Sequence, residues 1–225
     1  MLILHNKEKK TIPDTNAMET DQDGSYDLYK TPEGLSEYYL ITRSNDKLVN
    51  FLALIHEDLS NERILVFIKN KEQAENLIKF LQNCSPKINA NLICGAFNLN
   101  RRQKHLRNFK LGIDPILICT DALARGIDIE NVTTVINLDF PPSSVVYIHR
   151  SGRTARFDKK GRVITFLDPT QVFHFKKLLI EANRTSVTEM KLQNKKKKPF
   201  IIVYNSAMKR MEHFKDCEKN VKNKK

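Results

Sequence analysis

The 225-residue chain contains no run approaching the ~18 consecutive apolar residues of a membrane span, and Met1–Thr11 lacks the charged-then-apolar order of a secretory signal. Both absences lead to the expectation of a soluble, intracellular protein that is not secreted. The four cysteines (Cys84, Cys94, Cys119, Cys217) include no Cys-x-x-Cys pair, and three lie in or beside apolar stretches. That spacing argues against a zinc ribbon or a disulfide framework and leaves them as small core residues. No metal site is expected. Gly-x-x-x-x-Gly-Lys-Ser/Thr is missing too, as is any Gly-Lys dipeptide, so the loop that cradles nucleoside triphosphates is not in this sequence.

What the chain does have is positive charge. It carries 38 Lys+Arg against 26 Asp+Glu, a formal charge of +12. An anionic partner follows, with nucleic acid ahead of membrane lipid because no basic amphipathic helix stands out. The excess is uneven. Residues 191–225 hold 12 Lys/Arg and 3 Asp/Glu, which is +9 of the +12. Residues 35–190 are only mildly basic.

Residues 7–30 are polar and acidic (Asp14, Glu19, Asp21, Asp23, Asp27), and such a segment buries too little to offset its ordering entropy. Residues 1–34 therefore read as a flexible linker, with Met1–Leu4 able to dock as a short strand. From Leu35 onward, apolar runs alternate with amphipathic ones. Leu35–Thr42, Ile64–Ile68, Ala90–Cys94, Pro115–Thr120, Val132–Leu138 and Arg162–Leu167 read as strands. Asp46–Leu59, Lys71–Leu81, Arg101–Leu111, Ser143–Ser151 and a segment from Asp168-Pro169 to about Asn183 read as helices. This alternation predicts a doubly wound α/β domain over residues 35–190, a parallel sheet covered on both faces. Residues 191–225 form a basic C-terminal extension. Its Lys195–Lys198 run reads first as a solvated tail, and behind that as a nuclear-import or RNA-backbone element. Pro199–Tyr204 and the helical register of Met208, Met211 and Phe214 argue against disorder throughout. His56, His105 and His174 have no metal-ligand company and read as structural, and Phe173 and Phe175 read as packing residues.

In an open parallel sheet, ligands collect at the carboxyl ends of the strands. Three such places carry chemistry: Lys69-Asn70, Thr120–Asp128, and Tyr147–Arg156 after the Pro141-Pro142 turn. Arg150, Arg153 and Arg156 recur every three residues, and like charges so spaced repel on an isolated helix. Something anionic should compensate them. Planar, permanently charged guanidinium forks suit phosphate oxygens; pairing with Asp128, Asp139 or Asp158 inside the domain would serve equally well.

Val66–Asn70 (VFIKN), Gly95–Gly112 (GAFNLNRRQKHLRNFKLG), Thr120-Asp121 with Ala124–Asp128, and His149–Arg156 (HRSGRTAR) resemble, in order and spacing, motifs IV, IVa, V and VI of the DEAD-box RNA helicases. The resemblance covers residues 35–185, and His149 favours this group over DNA-helicase relatives that carry Gln there. It implies a RecA-like fold and the C-terminal lobe of a two-lobed enzyme. The Asp-Glu-Ala-Asp and Ser-Ala-Thr motifs of the N-terminal lobe, like its phosphate loop, are not in this sequence.

The resemblance also implies roles. Arg153 and Arg156 would be catalytic arginine fingers on the γ-phosphate of ATP, whose Mg2+ is held by the N-terminal lobe. Asp128 would accept from the nucleotide ribose, and His149 and Arg150 would link the two lobes. Asn70, Gly95, Arg102, Thr120 and Gly126 would contact the RNA backbone, Gly95 by letting a phosphate approach closely. Two positions depart from the family. Leu99 stands where motif IVa carries Gln, so that hydrogen bond is lost or moved to Asn98 or Asn100. Asn70 stands where motif IV often ends in Thr, and its amide can still donate.

The expected function is that of an ATP-hydrolysing RNA helicase in the complete, monomeric protein, with this chain inactive on its own and no membrane partner. The acidic stretch before Leu35 resembles ribosome-biogenesis members, implying pre-ribosomal protein partners and a nuclear, nucleolar location. The alternative is a non-enzymatic RNA-binding or protein-docking module.

Overall fold

The structure, a computed structural model, describes residues 31–95, 97–121, 129–156 and 159–222, with side chains as far as residue 213. Residues 1–30 of the linker expected over residues 1–34, together with Gly126 and Asp128, lie outside the described residues. Seven parallel strands in these segments form one sheet in the order β3-β4-β2-β5-β6-β1-β7. They are β1 Leu35–Ile41, β2 Ile64–Phe67, β3 Ala90–Ile93, β4 Ile116–Cys119, β5 Thr134–Asn137, β6 Gly161–Leu167 and β7 Thr188–Glu189. β2, β4 and β5 are buried at every position, which is why they read as continuous apolar runs instead of alternating ones. The helices are α1 Lys47–Ala53, α2 Lys71–Asn83, α3 Leu99–Leu111, α4 Ser144–Ser151, α5 Val172–Glu181 and α6 Asn194–Lys222.

The direction of each connection decides which face a helix covers. Moving from β1 to β2 to β3 runs one way along the sheet, and the later connections run the other way. Right-handed crossovers then place α1 and α2 on one face and α3, α4 and α5 on the opposite face. The sheet is therefore doubly wound and RecA-like, as expected. Because the helices following β2 and β5 depart to opposite faces, a crevice opens between the carboxyl ends of those neighbouring strands.

Local chemistry fixes the helix ends. The Asn70, Asn98 and Ser143 side chains accept from the backbone N–H of Gln73, Arg101 and Val146 at 2.9, 2.9 and 3.3 Å, capping α2, α3 and α4. Gly112 terminates α3 in the left-handed region at φ 76°. The helix expected from Asp168 starts there with a reciprocal cap between Asp168 and Gln171, but its first turn, Pro169–Gln171, is a tighter 3-10 turn before α5. Cys84, Cys94 and Cys119 are buried in the core. Phe175 packs at 1% exposure, whereas Phe173, also expected to pack, is 75% exposed on the outer side of α5.

The C-terminal extension differs most from expectation. Lys195–Lys198 is part of α6, not a solvated tail, and Lys196 pairs with Asp58 at 2.8 Å. Phe200, Tyr204, Ala207, Met208 and Met211 recur at helical spacing and face the domain. Phe200 stacks on His56 at 5.2 Å, and Tyr204 meets Phe80 at 5.8 Å. α6 thus packs across α1 and α2. Pro199 obscures this in the sequence, because proline inside a helical pattern normally marks a break.

Candidate functional site

The candidate residues collect at two ends of the sheet. At the carboxyl end, Asn70 follows β2, Gly95 follows β3 and Thr120 follows β4, three neighbours in strand order, while Arg102 stands in the first turn of α3. Asn70 spends its amide oxygen on the cap of α2, which leaves the amide N–H groups for a ligand. A side chain at Gly95 would meet nothing within 4 Å, so the domain's own packing does not require glycine there. The open space beside it is accessible to close approach from outside. Asn98 serves as a cap, and Leu99 points outward with 62% exposure.

Arg153 and Arg156 stand elsewhere. The expectation from chain order put them after β5, yet the Thr154 hydroxyl donates to the carbonyl of Val132 at 2.8 Å, with that of Thr133 at 3.1 Å. Those carbonyls precede β5, so the segment sits at the amino end of the sheet. α4 runs antiparallel to the strands and carries its last residues back there. Arg153, Arg156 and Lys159 line one cleft of about 230 Å3 together with Asn131 and Val132. Glu130, the one acidic group on its wall among the described residues, is paired with Lys110 at 2.6 Å. Guanidinium forks such as those of Arg153 and Arg156 are of a form that suits phosphate oxygens. Arg156 is held by its own Nε, which donates to the Gly152 carbonyl at 2.7 Å. Ala155 between the two anchors adopts φ 54°, and a side chain at Gly161 would overlap Ala155 N and Thr154 Oγ1. The arginine segment is therefore pressed directly onto the first residue of β6.

Arg150, expected to link the lobes, is 2% exposed and hydrogen-bonded within the domain. Its Nε and Nη2 donate to the two Asp121 oxygens at 2.6 and 2.8 Å, a bidentate pair. Nη1 donates to Asn137 Oδ1 at 3.2 Å and to the Asp139 carbonyl at 2.9 Å, and the guanidinium carbon lies 5.0 Å from the centre of the Phe67 ring. Neither Asp121 as the carboxylate partner nor the use of a backbone carbonyl was anticipated. The Asp139 carboxylate accepts in turn from Lys69 N at 2.9 Å and from Lys47 Nζ at 2.5 Å. Arg150 thereby ties the loop after β4 and the exit of β5 to the helix that leads into Arg153. His149, beside it, is half-buried.

A second buried polar group anchors α4. Tyr147, fully buried, donates to Glu37 Oε1 at 2.8 Å, and Arg184 Nε lies 3.5 Å from Glu37 Oε2. Burial pushes the Glu37 carboxyl above its ordinary range, against the lowering effects of Tyr147 and Arg184. Burial also raises the Cys119 thiol to about 12. Among the described residues no cluster of His, Cys, Asp and Glu could hold a metal ion.

A doubly wound parallel sheet with a basic cleft at one end and capped, amide-bearing loops at the other defines a RecA-like lobe. The sequence matches the helicase conserved C-terminal domain over residues 44–158, just over half the chain, and the protein belongs to that family, related to the DEAD-box ATP-dependent RNA helicases. It is 33% identical over 218 residues to the ATP-dependent RNA helicase dbp6 of Schizosaccharomyces pombe, an alignment covering 92% of this chain and 35% of that protein. The crystal structure of a DEAD box protein from the hyperthermophile Methanococcus jannaschii superposes with a TM-score of 0.63 at 27% identity, over 70% of this chain and 42% of that one. Domain 2 of the DEAD-box helicase Mss116p, bound to an RNA duplex, gives 0.61 at 25% identity, over 75% and 69%. The chain thus spans about a third of the length of the curated relative named here.

Proposed function

We propose that this chain is the C-terminal lobe of an ATP-dependent RNA helicase, contributing arginine fingers to ATP and half of an RNA-backbone surface. The carrying observation is the convergence of Arg153, Arg156 and Lys159 on one cleft, apart from Asn70, Gly95, Arg102 and Thr120 at the opposite strand ends. ATP held chiefly by an N-terminal RecA-like lobe, with its Mg2+, meets Arg153 and Arg156 when the lobes close, and Asp128 accepts from the ribose. The guanidinium groups then offset the charge that develops on the transferred phosphoryl group. RNA lies along the carboxyl edge and is read through its backbone, which predicts weak sequence preference and strong salt dependence. The duplex named with domain 2 of Mss116p supports an RNA surface on this lobe.

The test combines the chain with an N-terminal lobe and measures RNA-stimulated ATP turnover. Arg153→Ala and Arg156→Ala should each lower it by roughly three orders of magnitude, and the 225-residue chain alone should show none. Near-wild-type turnover in both variants would overturn the arginine-finger assignment. We further propose a role in ribosome biogenesis, with pre-ribosomal partners and a nucleolar location, supported by the acidic stretch before Leu35 alone. Failure of the full-length protein to co-sediment with pre-ribosomal particles would remove that part.

A further inference from the structure

A cavity outside the sites described so far lies beside the proposed RNA edge. It encloses about 340 Å3 between α1, α2 and α6, in the lower part of the range of small-molecule pockets, roughly 300–1,000 Å3. Leu77, Phe80, Met208 and Met211 form apolar walls, and Gln73 and Asn76 on the exposed side of α2 stand at the rim. Methionine is the adaptable wall material of apolar sites, and its sulfur packs favourably against aromatic rings.

Two connections join this cavity to the proposed RNA surface. Gln73 is the residue whose backbone N–H is capped by Asn70, so the rim begins one helical turn from that RNA-binding candidate. Asp139 also lines the cavity, and its carboxylate accepts from Lys69 N, which fixes the loop carrying Asn70. A strand of RNA whose phosphates cross Asn70 therefore passes the mouth. The rim chemistry suits a base: a side-chain amide offers both donors and an acceptor, so Gln73 and Asn76 can match the edge of any nucleobase. The walls suit its faces.

We propose that this cavity receives one unstacked nucleobase of the bound RNA, and that α6 is thereby part of the RNA-binding surface. The inference rests on the RNA-binding function proposed above. It predicts an apolar component of affinity that releases no counterions, superimposed on the phosphate contacts at Asn70, Arg102 and Thr120.

The experiment titrates the full 225-residue chain into single-stranded RNA oligomers carrying one 2-aminopurine, at several salt concentrations. Met211→Trp fills the cavity and Asn76→Phe closes its mouth from an exposed position, so that one variant remains informative if the other does not fold, as judged by its thermal melt. The expected result is a 2-aminopurine signal on binding to the wild-type chain that both folded variants lose. Affinity should fall about tenfold, the scale of one stacked base, and the slope of log affinity against log salt should stay unchanged. Arg102→Ala, which removes a phosphate contact, should do the reverse, lowering the slope while keeping the signal. If the wild-type chain binds RNA and both folded variants retain signal and affinity, the base pocket is wrong while the RNA surface stands. If the chain binds no RNA at any salt, the underlying function fails, and this inference with it.

Discussion

Removing Asp121 should harm the fold more than removing Arg150, although the two form one ion pair. Asp121→Ala leaves a guanidinium at 2% exposure with only Asn137 Oδ1 and the Asp139 carbonyl as partners. An uncompensated buried charge of this kind costs about 3–5 kcal/mol. Arg150→Met keeps much of the volume and leaves behind a carboxylate whose side chain is 25% exposed, so water takes over its solvation and the expected cost is about 1–3 kcal/mol, the cost of stranding polar groups. In the double variant no buried charge remains, so it should be more stable than Asp121→Ala alone. Urea unfolding followed by circular dichroism measures all three differences. For a domain of this size a loss of 3–5 kcal/mol corresponds to roughly 6–20 °C in melting temperature. If the two single losses simply add in the double variant, or if Asp121→Ala melts within a degree of the wild type, the buried-charge argument is refuted.

Gly161→Ala would force a methyl group against Ala155 N and Thr154 Oγ1; it should cost about 1–3 kcal/mol and, under the function proposed above, reduce ATP turnover in the presence of an N-terminal lobe by displacing Arg156. Unchanged turnover would show that the contact does not position the arginine. Glu37, whose carboxyl is raised by burial, supplies a pH signature. Its unfolded form ionises first, so its effect on stability is most favourable below the unfolded value near 4.5 and is lost as pH rises toward the higher folded value. Glu37→Gln should therefore gain relative to the wild type as pH is raised from 4 to 7 in parallel urea titrations; the opposite trend would mean that Arg184 outweighs burial.

The parallel sheet was legible because its central strands β2, β4 and β5 are buried on both faces and so lack alternation, which strand-plus-helix spacing then resolves into a doubly wound order. Strand limits were less so: Val132 and Thr133 look like strand but give their carbonyls to Thr154. That Arg153 and Arg156 are neighbours was legible, and they line one cleft, but their place was not, because chain order says nothing about a helix returning to the amino end. The partners of Arg150 were hidden for a different reason. Its side chain satisfies itself across 29 residues of sequence to Asp121, and neither residue type nor spacing tells such a buried pair from a ligand-facing one. α6 was hidden by Pro199 and by a lysine run that composition alone assigns to solvent. Thr188–Glu189 is too short to have a sequence signature at all.

The position of β1 has a consequence for how the chain is made. Its full-length pairing is with β6, from Leu35 against Gly161 to Ile41 against Leu167, and on its other side it meets only two residues of β7. On a ribosome working at about 5–20 residues per second, Leu35–Ile41 would wait several seconds for a partner synthesised more than a hundred positions later. Until then its backbone donors and acceptors are an open template for any other strand. A fragment cut at residue 158, where the family match stops, would keep that open edge permanently. The late strand β6 is thus what closes that edge of β1.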